Sequence, residues 1–330
     1  MELLPIDPAA PAPAVLRRAA AAIRAGGLVA FPTETVYGLG AHALDPSAVA
    51  RIYAAKERPA YNPLIVHVAD AAGARALVAE WPDAAERLAR AFWPGPLTLV
   101  LPRRDAVPDA ITAGLPAVAV RVPSHPVALA LLREAGVPIA APSANRFTEL
   151  SPTTAAHVAA SLGDAVDLIL DGGPTTVGIE STVVDLTGPR PRILRPGMIS
   201  AAQIAGVAGA VDDAPVEARA GEARPSPGME ERHYAPRARL VPFDDATRAA
   251  ALALAEREAA GGAPVGAVAF APLPVAHPVV LPRDPAPYAA RLYAVLHELD
   301  ARGCAVVLVE RVPPGPAWAG VRDRLQRAAR

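Results

Sequence analysis

The chain has 330 residues, 52% hydrophobic, 4% aromatic and 20% charged, with a formal net charge of −1, which is enough for two domains with sizeable cores. Basic and acidic side chains balance in both parts, 17 against 18 over residues 1–210 and 15 of each over 211–330, so a protein that grips nucleic acid mainly through phosphates is disfavoured. No apolar run reaches the roughly 18 residues of a membrane span, and the single cysteine, Cys304, excludes an internal disulfide framework or a cysteine-rich metal site.

Residues 13–26 read as an Ala-rich helix stopped at Gly26-Gly27, and 28–31 (LVAF) as a buried strand. A short helix over 47–55, capped by Asp45 or Ser47, leads to a strand at 64–68 and helical stretches near 70–79 and 83–92. Strands follow at 97–101 and 117–122, a helix at 125–135 and a strand at 137–141. Residues 153–161 read as helical, and 167–171, 181–186 and 192–195 as extended. Strands and helices intermingle, and some strands follow one another directly. The expectation is an α/β domain over 1–210 with a twisted mixed sheet. Residues 211–237 are charged, rich in Pro and Gly and aperiodic, as in a linker. From 238 to 330 strands and helices alternate again, predicting a small doubly wound, Rossmann-like unit without a glycine-rich dinucleotide fingerprint. The opening residues lack a basic region followed by an apolar core, and a cytoplasmic protein is expected.

Of the 32 Lys and Arg residues only Lys56 is a lysine, and the only asparagines are Asn62 and Asn145. A chain this rich in Ala, Arg, Pro and Gly reflects a coding bias that drains Lys and Asn, so the three survivors mark chemistry that substitutes cannot perform. All three lie in short motifs. FPTETVYGLG (31–40) runs from a buried strand into a Thr/Gly stretch, at a strand end where α/β sheets place ligands. In KERPAYNPLIVHV (56–68), Lys56 and Arg58 suit a polyphosphate, one as a compact charge and the other as a planar fork. His67 there is either a satisfied core residue or a pocket residue. Arg121 interrupts the apolar strand AVAVRV and needs an anionic partner, either a structural Asp or Glu or a substrate carboxylate. Ser143 and Asn145 follow a buried strand, Ser151 precedes a helix that it could cap, Ser181 opens a strand and Arg195 closes another. His233 and Tyr234 form an unusually specific RHYAP segment in the linker, which is expected to dock on something. No serine or cysteine has a base partner by motif, and no metal-ligand or Walker motif occurs.

In order, FPTETVYGLG, KERPAYNPLIVHV, WPGPLT, AVAVRVP, PIAAPSAN, SPT, DGG, ESTVVD, RPG and HYAP resemble one family, the YrdC-like threonylcarbamoyl-AMP synthases in their long, two-domain form. The resemblance implies a twisted sheet holding a site for ATP, L-threonine and bicarbonate, with Mg²⁺ assisting. Threonylcarbamoyl-AMP and pyrophosphate would be the products, consumed by a downstream tRNA threonylcarbamoyl-transferase complex that modifies the adenosine beside the anticodon. By the same resemblance Lys56 and Arg58 are catalytic. Lys56, Arg58, Asn62, Ser143, Asn145, Ser151, Arg195, Tyr234 and the backbone of Ala117 contact ATP. Thr35, His67, Arg121, Ser181 and the backbone of Ala141 hold threonine, Arg121 through its carboxylate. No protein metal site is implied, and the segment Phe147–Leu150 receives no role. Two other readings are an RNA-binding module, disfavoured by the neutral charge, and a carbamoyl-transfer factor of hydrogenase maturation, whose zinc fingers one cysteine cannot build.

Overall fold

The computed structural model describes residues 1–214, 223–228, 230 and 232–330. The first part runs β1 (Glu2–Pro5), α1 (Pro13–Arg24), β2 (Val29–Pro32), β3 (Tyr37–His42), α2 (Pro46–Lys56), β4 (Ile65–His67), α3 (Ala71–Arg75), α4 (Asp83–Phe92) and β5 (Leu97–Pro102). It continues through α5 (Asp109–Thr112), β6 (Ala117–Arg121), α6 (Pro126–Ala135), β7 (Ile139–Ala140), α7 (Ala155–Leu162), β8 (Leu168–Asp171), β9 (Thr182–Asp185), β10 (Arg192–Arg195) and α8 (Ala201–Ala208). The last part holds β11 (Arg239–Phe243), α9 (Arg248–Ala260), β12 (Val265–Ala269), β13 (His277–Val280), α10 (Pro285–Ala301), β14 (Val306–Glu310) and α11 (Ala319–Ala328).

Ten strands form one sheet, ordered β1-β8-β2-β3-β7-β4-β6-β5-β9-β10, and four form a second, β11-β14-β12-β13. The first is mixed: β4 and β6 are parallel, for example, and β5 and β6 antiparallel. The second is parallel throughout, with Phe243, Ala251 and Ala255 packed among the residues covering one face and helices α10 and α11 supplying the core of the other. The mixed α/β architecture with a smaller doubly wound unit is the one expected. Both faces are covered, so central strands such as β5 read as continuous apolar runs.

Two local expectations are corrected. FPTETVYGLG is a hairpin rather than a strand entering a loop, because β2 and β3 pair antiparallel from Val29↔Gly40 to Pro32↔Tyr37. Thr33 makes the tight turn possible: its Oγ1 donates to the Val36 carbonyl at 2.6 Å and accepts from the Thr35 and Val36 amides. The helix expected near 70–79 ends at Arg75, since Gly73 lies inside it and Val78 is drawn into a bridge with Arg103. Helix α8 is absent from the sequence-based expectations; its local signal is the spacing Ser200–Gln203, which forms a reciprocal capping box.

The two sheets belong to one packed body. Val36, Leu150, Ile179 and Tyr234 join the apolar cluster built by α10, α11 and β14. The contact is backbone against backbone at two glycines: a Cβ on Gly178, which has φ +80°, would lie 2.3 Å from the Ala289 carbonyl of α10, and one on Gly320 of α11 would lie 2.7 Å from the Gly197 carbonyl. Beside them His157 of α7 stacks on His297 of α10 with ring centroids 3.8 Å apart, and His297 Nε2 lies 3.1 Å from the Ser151 carbonyl.

Two stability outcomes follow from this interface. Gly320→Ala in a free helix would gain about 1 kcal/mol. Here the clash with backbone of the opposite domain outweighs that gain, and a net loss of about 1–2 kcal/mol is expected in denaturant titration. Burial, and then the charge of His297, lowers His157 from 6.5 to about 4, and burial also lowers His297. The unfolded chain therefore binds more protons than the native one between these values. Stability is full above pH 6.5 and is lost as pH falls toward 4. Calorimetry should show the thermal midpoint falling from pH 7 to pH 5, less steeply in His157→Gln.

Candidate active site

The cleft is walled by the turn of the β2–β3 hairpin, by β4 and β6, by residues 141–143 after β7, by Glu180 and Arg195, and by the linker at Pro227, Gly228, His233 and Tyr234. Parallel pairing sets His67 of β4 opposite Arg121 of β6. Arg121 Nη2 donates to Glu34 Oε1 at 2.6 Å, and Glu34 Oε2 accepts the Ser124 amide. Of the two partners that the sequence left open, Arg121 thus has the structural carboxylate, which comes from the hairpin turn. Its Nε, buried without a protein partner among the described residues, remains available. Burial, reinforced by Arg121, pushes His67 down to about 3, so its imidazole is neutral at physiological pH.

Arg58 is held by its own loop. Its Nη2 donates to Asn62 Oδ1 at 2.7 Å and to the Pro63 carbonyl at 3.0 Å, and the guanidinium lies over Phe147. Burial lowers it to about 10, which leaves it charged. Arg195 donates through Nε and Nη2 to the carbonyl and hydroxyl of Ser181, both at 3.1 Å, and through Nη1 to Pro227 of the linker. Ser181 Oγ also shares a hydrogen bond with Thr98.

Lys56 does not line the cleft. It is 1% exposed, and its ammonium donates to the carbonyls of Ser143 and Asn145. These bonds pin the turn that carries Ser143. Burial, and then Arg58, pulls its pKa well below the usual lysine value. Asn145 braces the same turn by donating to the Arg146 and Glu149 carbonyls.

Of the expected residues, Thr35, Arg58, His67, Arg121, Ala141, Ser143, Arg195 and Tyr234 line the cleft. Lys56, Asn62, Ser151 and Ser181 stand one hydrogen bond behind it, Ser151 by donating to Glu180, and Asn145 stands two behind, through Lys56. Ala117 lines an adjoining apolar hollow with Leu64, Ile111 and Pro225. Helix α7 is capped by Thr154, so Ser151 is free of that duty.

The segment Phe147–Leu150 gains a role. Ala235 of the linker donates its amide to the Thr148 carbonyl, His233 packs edge-on to Phe147, and Leu150 is buried in the interdomain core. The linker is therefore stapled over the cleft. Gly228 passes so close beneath Tyr234 that a Cβ would fall 2.1 Å from its hydroxyl. His233 is surrounded by Arg58, Lys56, Arg195 and Arg324, and burial together with these charges drives its pKa well below 6.5. Buried polar atoms without a protein partner among the described residues collect here: Asn62 Nδ2, His67 Nδ1, Arg121 Nε, Asn145 Oδ1, His233 Nδ1 and Tyr234 Oη. The sequence reading passed over Glu180. Its local signal was weak, an acid between Ile179 and the polar pair Ser181-Thr182.

A family model for the Sua5, YciO and YrdC proteins, described as telomere recombination, matches residues 21–197, and one for the threonylcarbamoyl-AMP synthase C-terminal domain matches 199–330. A threonylcarbamoyl-AMP synthase of Pyrococcus abyssi is 43% identical over 318 residues, 95% of this chain and 94% of that one. This chain belongs to the threonylcarbamoyl-AMP synthase family. A member from Bacillus subtilis is 50% identical over 227 residues, 68% of this chain and 66% of its own. The crystal structure of P. abyssi Sua5 complexed with L-threonine has a TM-score of 0.93 and 41% identity, covering 100% of this chain and 98% of that one. The resemblance read from the ordered motifs is thereby borne out, with the second family model covering the region where the motifs thin out.

Lys56→Arg should disable the cleft by displacing its turn. A guanidinium is larger than the buried seat of the ammonium, and two carbonyls lose their donor, a cost of about 1–3 kcal/mol. Both thermal stability and turnover should fall. Amine-reactive reagents should label the N-terminus and spare native Lys56 even without nucleotide, as mass spectrometry would show.

Proposed function

We propose that the chain condenses L-threonine, bicarbonate and ATP into threonylcarbamoyl-AMP and pyrophosphate. The observation that carries this reading is the cleft itself. Arg58, Arg121 and Arg195 converge on it, and the one carboxylate that lines it among the described residues, Glu180, is already engaged by Ser151, Tyr293 and Arg324. Such a cleft favours a polyanion and an amino-acid carboxylate.

In the proposed sequence the neutral threonine amine forms an N–C bond to bicarbonate with loss of water, or to carbon dioxide with loss of a proton, and gives a carbamate. A carbamate oxygen then attacks the α-phosphorus of ATP in line. The new O–P bond forms as the bond to the β-phosphate oxygen breaks, and pyrophosphate leaves. No protein nucleophile is needed, and the hydroxyls of Ser151 and Ser181 are committed to Glu180 and to Thr98 and Arg195. The residues position and neutralise. Arg58 and Arg195 meet the phosphates. Threonine is held by Arg121 Nε, with Thr35 and neutral His67 walling its side chain. The hollow beside Ala117, closed by Pro225, suits an apolar base edge. Glu34 and Glu180 are spent in ion pairs, and among the described residues no three His, Cys, Asp or Glu gather into a metal cage. The residues present do not form a Mg²⁺ site of their own, so Mg²⁺ would travel with the ATP phosphates.

The product is a mixed anhydride that hydrolyses in water, so a downstream tRNA threonylcarbamoyl-transferase complex is its consumer in this reading, and the cytoplasm its setting. Among the described residues no helix is long and apolar enough to cross a membrane.

Pyrophosphate release should require all three substrates and drop to background when any one is omitted. Release without threonine at the full rate would defeat the reading. Arg121→Gln should raise the threonine KM by roughly thirtyfold, about 2 kcal/mol, with a much smaller change for ATP.

A further inference from the structure

Among the described residues, none beyond Tyr234 lines the cleft, so the small domain contributes nothing to its surface. Yet the small domain holds the cleft in shape. Arg324 of α11 has a side chain with 0% exposure. Its Nε donates to Glu180 Oε2 at 2.6 Å, its Nη2 to the Glu180 carbonyl at 3.3 Å, and its Nη1 to the Pro196 carbonyl at 3.0 Å and to Asp323. Tyr293 of α10 adds its hydroxyl to Glu180 Oε2 at 3.2 Å. The other carboxylate oxygen accepts the hydroxyl of Ser151, and the Arg324 guanidinium lies 5.1 Å from the ring centre of Tyr234. One buried guanidinium thus braces three pieces of the cleft that approach it from separate parts of the chain.

We infer that Arg324 is a positioning residue for the reaction. By fixing Glu180 it orients Ser151, by supporting the ring of Tyr234 it holds the linker shut, and Tyr293 shares the first task. This deepens the synthase reading and rests on it. The nucleotide side of the cleft depends on the arrangement most, because Tyr234 holds shut the linker on which Arg195 is anchored at Pro227, and Arg195 meets the phosphates in that reading. Ser181 is held separately by Thr98 and Arg195, so the threonine side depends on it less. The fork matters as well as the charge. A lysine in this place would supply one point donor, could not span the side chain and carbonyl of Glu180 together, and would offer no plane to Tyr234.

The test uses the full chain and measures pyrophosphate release against ATP and threonine separately, with calorimetric ATP binding and thermal midpoints alongside. Arg324→Lys is expected to raise the ATP KM and Kd about tenfold or more while the threonine KM moves less than about threefold. Tyr293→Phe removes a single hydroxyl without opening a large cavity, so it should fold even if the lysine variant does not. It should shift ATP in the same direction by about threefold. Val321→Ala, in the same helix and also fully buried, is the control: it should lower the thermal midpoint and leave both KM values within about twofold. The inference is overturned if Arg324→Lys and Tyr293→Phe leave ATP binding unchanged, or if Val321→Ala weakens it equally. If the unaltered protein itself releases no threonine-dependent pyrophosphate, the synthase reading falls instead, a result readily told apart from the first two.

Discussion

Glu180 carries a negative charge into the seam between the two sheets, and the structure is organised around keeping that charge. A carboxylate taken out of water is stable only if it is paired and its lone pairs are occupied. Arg324 supplies the charge, Ser151 and Tyr293 the remaining hydrogen bonds, and Arg195 a second favourable field. Burial alone would raise the pKa of Glu180. These neighbours more than compensate, and it stays below the ordinary carboxylate range. Such a pair adds little net stability compared with apolar packing, but breaking it strands a charge. Its value lies in register: the two domains have one relative placement in which all four groups are satisfied.

The cleft inherits its electrostatics from this arrangement. Glu34 and Glu180 are spent on Arg121 and Arg324, so among the described residues no carboxylate forms an ion pair with Arg58 or Arg195, which line the cleft. Histidines in this field lose their charge. His67 and His233 are pushed far below their usual pKa, so they contribute shape and single hydrogen bonds. Arg58 and Arg195 stay charged because each is tethered by neutral oxygens: Asn62 and Pro63 for the first, Ser181 and Pro227 for the second. This is preorganisation: the charges are already oriented, and little reorganisation is left for the moment of reaction.

Sequence patterning revealed the elements and the ordered motifs well, because strand alternation and helix punctuation are local signals. The Ser-x-Asn turn and the docking linker were visible for the same reason. What stayed hidden was the partner of each residue. Lys56 stood out by its rarity, but nothing in its neighbourhood along the chain said that Ser143 and Asn145 would take its ammonium. Arg121 announced a need for an anion, and only the hairpin, which brings Glu34 back against β6, revealed which one. Ser181 and Ser151 were marked by position, while their bonds to Thr98 and Glu180 depend on sheet order and domain docking. Glu180 was overlooked because its explanation lies in helices far along the chain.

That separation has a consequence for biosynthesis. Glu180 and Arg324 are 144 residues apart, and a ribosome adding roughly 5–20 residues per second needs about 7–29 s to cover that distance. Throughout this interval the nascent catalytic sheet holds a carboxylate whose partner does not yet exist. The strands around it can pair and the linker can staple to Thr148, all within the first 235 residues, but Glu180 has no guanidinium beside it until α11 emerges. The last helix to be made is thus the one that completes the support of the cleft.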